Sequence, residues 1–162
     1  MSRELDTNWR DLNYNFETLE LNPELVKALN SLKIFRPSNI QFRALMATKN
    51  SLNLCLECQF QKHETIILAI SILEKINVES EDCCQAIILS SDSNVIKHIA
   101  DTIEYLGLYL NEKICTHLSN VVDNINRLKN GVNIIIGNPG RIYDLIGLGS
   151  IKLHNIKIMA SF

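Results

Sequence analysis

The sequence predicts an α/β protein in which a doubly wound parallel sheet forms the middle of a three-layer sandwich. Short apolar runs alternate with amphipathic segments along most of the chain, and no internal repeat interrupts them. Such runs are typical of strands buried on both faces, and right-handed crossovers then place helices on both sides of the sheet. The predicted strands are LNLCLE at 52–57, QAIILS at 85–90, KICTHL at 113–118, NIIIG at 133–137 and IKIMASF at 156–162.

Helices are predicted in the intervening segments from capping residues and apolar spacing. Asn22 can cap the first helix, with Pro23 at its first position and Glu24 in its first turn. Residues 1–15 are polar and lack periodicity, so we expect a flexible N-terminal arm. The other predicted helices span Asn39 to Thr48, residues 65–76, Asp92 or Ser93 to Tyr105 with Gly107 at the C′ position, residues 121–131 and, as a short helix, residues 140–147.

Length and composition indicate one ordinary globular domain. The 162 residues are 46% hydrophobic and 21% charged, and no apolar run of about 18 residues is present. We therefore expect no membrane partner. The polar N-terminus lacks the apolar stretch of a secretory signal, which favours the cytoplasm or nucleus, an RNA-protein granule included. A net charge of −2 argues against strong electrostatic binding of nucleic acid.

The chain has five cysteines, an odd number without the spacing of a disulfide framework. Cys55-x-x-Cys58 resembles half of a zinc or redox motif, with His63, His98 and His117 as further candidate ligands. No second pair follows, so we expect Cys55 and Cys58 to be buried structural thiols and no metal to bind. Cys83 and Cys84 are expected to be exposed in an acidic loop.

Two segments carry a family resemblance. The stretch FETLELNPELVKALNSLKIFRPSNIQFRAL resembles the Q-motif region of DEAD-box RNA helicases, with Phe16 and Gln41 standing 25 positions apart and Pro37 between them. The tetrapeptide NPGR at 138–141 resembles the family's TPGR motif. The resemblance covers residues 16–162 and implies a RecA-like domain of the P-loop NTPase type, the first of two in a helicase. The family's Asp-Glu-Ala-Asp motif would begin at Phe162.

The phosphate loop of that family, AxxGxGKT, falls on Cys58 to Thr65. Gln61 and His63 replace its glycines, although the loop requires backbone conformations that glycine adopts most readily. Glu64 replaces its lysine, and a charge pair at 4 Å contributes about 4 kcal/mol at an effective dielectric of 20. We therefore expect a degenerate ATP site, no catalytic residue, no cofactor, no ATP binding and no enzymatic activity, even though Lys62 stands nearby. The resemblance places this degenerate site at Phe16, Gln41, Gln61, His63, Glu64 and Thr65.

Gln41 has two interpretations: the family's glutamine reads adenine, but capping and anchoring of its own loop explains its presence better here. The family's PTRELA motif falls on residues 91–96, where Asp92 and Ser93 replace its threonine and arginine. We expect weak RNA contacts from Gly140 and Arg141, with Arg141 either binding phosphate or pairing with an aspartate.

The resulting hypothesis is an inactive helicase-like domain that acts as a protein-interaction scaffold in an RNA-protein complex or an RNA-processing or silencing pathway. The segment 114–146 loosely resembles the helicase subunit of the SMN (snRNP-assembly) complex, and related degenerate domains occur in piRNA factors. The alternative is a truncated ATP-dependent RNA helicase with residual nucleotide or RNA binding. A protein partner or a second copy is expected to bind Phe60, Tyr105, Leu108 and Tyr109, unless Phe60 fills the vacated phosphate pocket.

Overall fold

The fold was determined from a computed structural model that describes residues 14–57, 61–76, 84–108, 110, 114–115 and 132–162. Four parallel strands form one sheet: β1 (Ala86–Leu89), β2 (Ile114–Cys115), β3 (Ile134–Gly137) and β4 (Ile158–Ser161). Their order across the sheet is β2-β3-β1-β4, with Ile87 opposite both Ile135 and Met159. The predicted α/β class with a parallel sheet is confirmed.

Five helices are described: α1 (Pro23–Ser31), α2 (Asn39–Lys49), α3 (Gln61–Leu73), α4 (Ser93–Gly107) and α5 (Pro139–Gly147). The predicted caps form, because the Asn22 side chain accepts a hydrogen bond from the Glu24 N–H and the Asp92 side chain accepts one from the Asn94 N–H. None of the described helices is long and apolar enough to cross a membrane.

The two faces of the sheet bury different helices. The first core cluster joins Ile88 and Ile136 to residues of α1 to α4, and the second joins Ile87 and Ile135 to Ile142 and Leu145 of α5. Because successive side chains of a strand point to opposite faces, α4 and α5 lie on opposite sides of the sheet. This confirms the layered arrangement expected from the apolar strands.

Several predicted elements differ from the structure. The segment 52–57 is irregular and largely exposed instead of forming a strand, and none of the four described strands pairs with it. Gly107 lies inside α4, with Leu108 as the cap, since a hydrogen bond from the Leu108 N–H to the Glu104 carbonyl extends the helix. The helix α3 begins at Gln61, four residues before the predicted start.

Other predictions fall partly outside the described residues. The helix predicted at 121–131 lies outside them, as do positions 1–13 of the predicted arm. The end of the arm is ordered, because the ring of Tyr14 packs edge-on against Phe42 with a centroid distance of 5.0 Å. The arm therefore ends before residue 14, and its expected flexibility stays a prediction for the residues ahead of it.

Candidate nucleic-acid interface

The crevice at the carboxyl edge of the sheet lies between two helix N-termini. Strands β1 and β3 are neighbours, and Leu89 is paired with Gly137 at their carboxyl ends. The helix α4 follows β1 on one face, and α5 follows β3 on the other. Connections that leave adjacent parallel strands towards opposite faces open a crevice, which is where ligands of such sheets bind.

The N-terminus of α4 is closed by its own side chains. Asp92 Oδ1 accepts a hydrogen bond from the Asn94 N–H at 2.7 Å, and the Asp92 N–H donates to the Ser90 hydroxyl at 3.2 Å. Asp92 and Ser93 are exposed. A carboxylate at this end stabilises the helix through its dipole, and the same negative charge opposes an approaching phosphate.

The N-terminus of α5 is neutral and more open. Asn138 Oδ1 accepts a hydrogen bond from the Gly140 N–H at 3.0 Å, and Pro139 occupies the first turn. Asn138, Pro139 and Gly140 are exposed, and Arg141 is half-buried in the same turn. A Cβ added at Gly140 would meet only Asn138 Oδ1, at 3.4 Å, so the backbone here is accessible to a ligand.

Gln41, the predicted adenine reader or cap, is buried inside its own helix turn. Its Oε1 accepts a hydrogen bond from the Ser38 N–H at 2.9 Å, while the Ser38 hydroxyl accepts one from the Gln41 N–H at 3.4 Å. This reciprocal pair is a capping box, which satisfies two backbone donors at the start of α2. The geometry supports the capping interpretation. Phe16, predicted at the same site, lies in the core with 3% exposure.

The residues aligned with the phosphate loop lie at the start of α3. Gln61 and His63 belong to its first turn, where the structure describes the backbone alone. Glu64 is half-buried and faces a groove beside β4, and Thr65 is buried. The structure thus places Glu64 at the groove beside β4.

The cysteines contradict part of the prediction. Cys55 is exposed because the segment around it does not join the sheet, and Cys84, two residues before β1, is buried in the core cluster that contains Ile87 and Ile135. Its thiol also donates to the Ala86 carbonyl at 3.4 Å. Among the described residues no group of histidine, cysteine or carboxylate side chains could hold a metal ion. Cys58, Cys83 and His117 lie outside those residues.

Two of the predicted partner-binding residues are described. Tyr105 is 39% exposed and Leu108 is 72% exposed at the C-terminal end of α4. The Tyr105 hydroxyl is hydrogen-bonded to the Ser31 hydroxyl at 3.3 Å, which brings the end of α1 beside this surface. Phe60 and Tyr109 lie outside the described residues, so their role stays a prediction.

Sequence reasoning missed the groove that lines the outer edge of β4. Its walls include Leu54, Glu64 and Met159. The apolar pattern of 52–57 predicted burial in a strand, whereas Leu54 is 42% exposed. Pairing partners of a strand cannot be read from its own residues, so nothing in the sequence marked this groove.

Comparison with known proteins identifies the relatives. No family model matches the chain. The ATP-dependent RNA helicase eIF4A of Debaryomyces hansenii is 30% identical over 156 residues, which are 95% of this chain and 39% of the relative. The ATP-dependent RNA helicase FAL1 of Meyerozyma guilliermondii is 33% identical over 146 residues, or 89% of this chain and 36% of the relative.

This chain is a homologue of DEAD-box RNA helicases. A DEAD box protein from Methanococcus jannaschii superposes with a TM-score of 0.79 at 27% identity, covering 91% of this chain and 41% of that one. Dbp5 of S. cerevisiae, bound to RNA and ADP BeF3, superposes with a TM-score of 0.74 at 25% identity, covering 91% and 38%. The predicted RecA-like fold is confirmed. The chain spans about two fifths of the length of these relatives.

The relatives correct one expectation. We expected no enzyme, on the basis of Gln61, His63 and Glu64, but the similar curated proteins are named ATP-dependent RNA helicases, so this prediction is wrong. The expected exclusion of ATP likewise finds no support. That expectation rested on three residues of one loop, whereas the sequence similarity to the relative extends over 95% of the chain. The finer resemblance to SMN-complex and piRNA factors stays a prediction.

Proposed function

We propose that this chain is the first RecA-like lobe of an ATP-dependent RNA helicase and that it contacts RNA at the N-terminus of α5. The family supports the reaction class, because the relatives are named for it. The location rests on one observation: the exposed turn Asn138-Pro139-Gly140, followed by Arg141, borders the crevice at the carboxyl edge of the sheet.

The physical basis of this contact is the positive end of a helix. The first N–H groups of a helix lack partners within the helix, and its dipole favours an anion such as a phosphate. Arg141 adds a positive charge and a planar group that can donate two hydrogen bonds to phosphate oxygens. Gly140 lets a backbone approach closely, since it carries no side chain.

The N-terminus of α4 contributes less to this interface. Asp92 already accepts the hydrogen bond of the Asn94 N–H, and its carboxylate repels phosphate. With a net charge of −2 on the whole chain, we expect the lobe alone to bind RNA weakly and with a steep salt dependence.

Fluorescence anisotropy of a labelled decauridine RNA tests this interface. We expect Arg141→Ala to weaken binding about five-fold and to lower the salt slope by roughly 0.7 to 0.9, the contribution of one phosphate contact. Asp92→Asn keeps the cap while removing the charge, so it should strengthen binding. Arg43→Ala, which removes an exposed arginine on α2, is the matched control. An unchanged affinity for Arg141→Ala would contradict the proposal.

Nucleotide binding is the second part of the proposed helicase function. Glu64 lies where the resemblance places the lysine that faces the β- and γ-phosphates, and it borders a groove. Its charge weakens binding of a polyphosphate without removing the fold that surrounds it. We expect Glu64→Lys to tighten binding of magnesium ATP in calorimetry, while Glu57→Lys, an equal charge change at a nearby exposed position, leaves it unchanged.

The setting of the helicase is part of the same proposal. We place it in the cytoplasm or nucleus, where RNA substrates occur. The exposed Tyr105 and Leu108 give the lobe a surface for a protein partner. Substitution of Leu108 by serine should reduce recovery of that partner, with Leu148→Ser, at the 65% exposed leucine that caps the C-terminus of α5, as the control.

A further inference from the structure

A pocket of about 200 Å³ lies where the C-terminal ends of α2 and α3 meet the segment that precedes α1. Its inner walls are apolar, and Leu19, Leu45 and Ile70 are each no more than 3% exposed. Lys49 and Glu74 also line the pocket and are exposed, so they mark the mouth where it meets solvent. The pocket therefore has an apolar interior with charged groups at its opening.

One polar side chain, that of Ser71, lies in the interior of the pocket. It is 7% exposed, and its hydroxyl is 3.0 Å from the hydroxyl of Thr48. Thr48 donates its only hydroxyl proton to the Leu45 carbonyl, at 3.0 Å, because a carbonyl oxygen can only accept. Ser71 must then donate its own proton to Thr48. The oxygen of Ser71 is thus left to act as an acceptor alone.

The chemistry of Ser71 defines the polar group that suits the pocket. Among the described residues, no donor is directed at the Ser71 oxygen, since its hydrogen bond to Thr48 uses the proton of Ser71 itself. A buried acceptor that lacks a donor is unfavourable, and a ligand that brings one donor to it removes that penalty. The rest of the ligand must be apolar, because the walls around it are apolar.

The volume of the pocket corresponds to one six-membered ring with a substituent. An apolar cavity of about 150 Å³ accepts benzene, so the 200 Å³ present here holds a slightly larger ring compound. A phenol combines an apolar ring with a hydroxyl that donates a hydrogen bond. Tyrosine carries this group on the end of its side chain, with the polypeptide attached at the opposite side of the ring.

The charges at the mouth indicate which residue stands beside the ring. Lys49 is paired with Glu20 at 2.8 Å, and Glu74 accepts a hydrogen bond from the Asn22 N–H at 2.6 Å. The ammonium group of Lys75, which also lines the pocket, forms no ion pair among the described residues. A carboxylate next to the tyrosine in sequence complements this cation.

We propose that this pocket is an anchor site for one tyrosine of a partner polypeptide, with an acidic residue beside that tyrosine. The phenol ring lies against Leu45 and Ile70, and its hydroxyl donates to the Ser71 oxygen. The neighbouring carboxylate pairs with Lys75 at the mouth. Aromatic side chains that enter a pocket in this way carry much of the affinity of protein interfaces. The proposal depends on neither the RNA contact nor the ATP site.

NMR of leucine and isoleucine methyl groups, with two synthetic peptides as probes, tests the site. The probes are capped glycine-aspartate-tyrosine-glycine and its phenylalanine analogue. We expect the tyrosine peptide to shift the methyl resonances of Leu45 and Ile70, and not that of Leu54, which lines the separate groove beside β4. It should bind about five-fold more tightly than the phenylalanine peptide, because it alone brings a donor to Ser71.

Two protein variants assign the preference for tyrosine to the hydrogen bond. Ser71→Ala removes the acceptor, so it should weaken the tyrosine peptide about five-fold and leave the phenylalanine peptide unchanged. Ser31→Ala removes an exposed hydroxyl at the end of α1 and should change neither affinity. Thermal melting checks that both variants are folded, and the comparison of the two peptides on the unaltered protein stands without them.

A third peptide tests the charge at the mouth. Asparagine in place of aspartate should weaken the tyrosine peptide about two-fold, the size of one exposed ion pair. Lys75→Gln should abolish this difference between the aspartate and asparagine peptides. An unchanged difference would remove Lys75 from the site.

Four results would overturn the proposal. The first is equal binding of the tyrosine and phenylalanine peptides, and the second is an equal effect of Ser71→Ala and Ser31→Ala. The third is a set of shifts that includes Leu54 and omits Leu45, which would place the peptide in the groove beside β4. The fourth is binding of free p-cresol without binding of the tyrosine peptide, which would make a small phenol the ligand instead of a polypeptide.

Discussion

The centre of the sheet and its β4 edge are built from similar sequences but differ in what covers them. Ile134, Ile135 and Ile136 of β3 are fully buried, with a strand on each side and helices on both faces. Met159 of β4, in an equally apolar run, is 68% exposed. Within the described residues, an apolar strand is therefore buried where strands and helices cover it, as at β3, and Met159 of β4 is exposed where they do not.

The largest expected effect lies at the centre. Ile136→Ala removes three methyl or methylene groups from a fully buried position between two strands. We expect a loss of about 2–5 kcal/mol in the free energy of unfolding, measured by urea denaturation, and about 0.5–1.5 kcal/mol for the graded control Ile136→Val. A smaller loss of unfolding free energy for Ile136→Ala would mean that the centre of the sheet is packed as loosely as its β4 edge.

A smaller effect is expected at the start of α2, the helix that leads into the groove wall. Gln41→Ala removes the acceptor of the Ser38 N–H from a buried position. Loss of one partner of a capping box costs about 1–2 kcal/mol. Arg43→Ala, at an exposed position of the same helix, should cost less than about 0.5 kcal/mol. An equal loss of unfolding free energy for Gln41→Ala and Arg43→Ala would show that the capping box of Gln41 does not stabilise α2.

Titration separates a desolvated carboxylate from a solvated one. Burial raises the pKa of Glu74, although the hydrogen bond from the Asn22 N–H and the charge of Lys49 lower it. A folded-state pKa above the unfolded value of 4.5 means that the charged form is disfavoured in the fold, so stability falls as pH rises through the folded pKa. Glu74→Gln keeps the acceptor and should raise the melting temperature at pH 7, with the difference vanishing below the unfolded pKa.

Glu20 is the matched opposite case. Its hydrogen bond and charge interaction with Lys49 lower the pKa of this exposed carboxyl. The stability from that pair is present above pH 4.5 and is lost as pH falls through the folded pKa. Glu20→Gln should therefore lower the melting temperature slightly at pH 7 and have no effect in acid. A higher melting temperature at pH 7 for both Glu74→Gln and Glu20→Gln would contradict the opposite pKa shifts of the two carboxyl groups.

The smallest effect is expected at the edge. Met159→Ala changes a largely exposed side chain on β4 and should alter the free energy of unfolding by no more than about 0.5 kcal/mol. A loss of unfolding free energy similar to that of Ile136→Ala would show that the Met159 side chain is buried.

The sequence predicted the helices and the layered arrangement better than it predicted which segments join the sheet. Periodic apolar spacing and capping residues located α1, α2 and α4, because these signals are local to each helix. The strand predicted at 52–57 failed because a strand depends on partners far along the chain, and its apolar residues say nothing about whether a partner is present. Cys55 and Cys84 were assigned to the wrong environments for the same reason, since their burial follows from which segments pair.

The candidate site could be predicted in part. Asn138 to Arg141 stood out as a motif and lies at an exposed helix start, and the burial of Gln41 in a capping box follows from Ser38 three positions earlier. The error about enzymatic activity arose because single substitutions such as Glu64 were given more weight than a resemblance over most of the chain. A local charge reversal changes an affinity, but it does not identify the class of protein.

The hydrogen bond between the Asn22 N–H and Glu74 joins residues 52 positions apart, at a distance of 2.6 Å. It fastens the start of α1 to the residue that follows α3. The Asn22 N–H thus gains this partner only when α3 has been synthesised and folded, and closure of so long a loop costs entropy before its contacts form. On the ribosome, α1 should therefore remain a fluctuating helix at least until residue 74 has emerged.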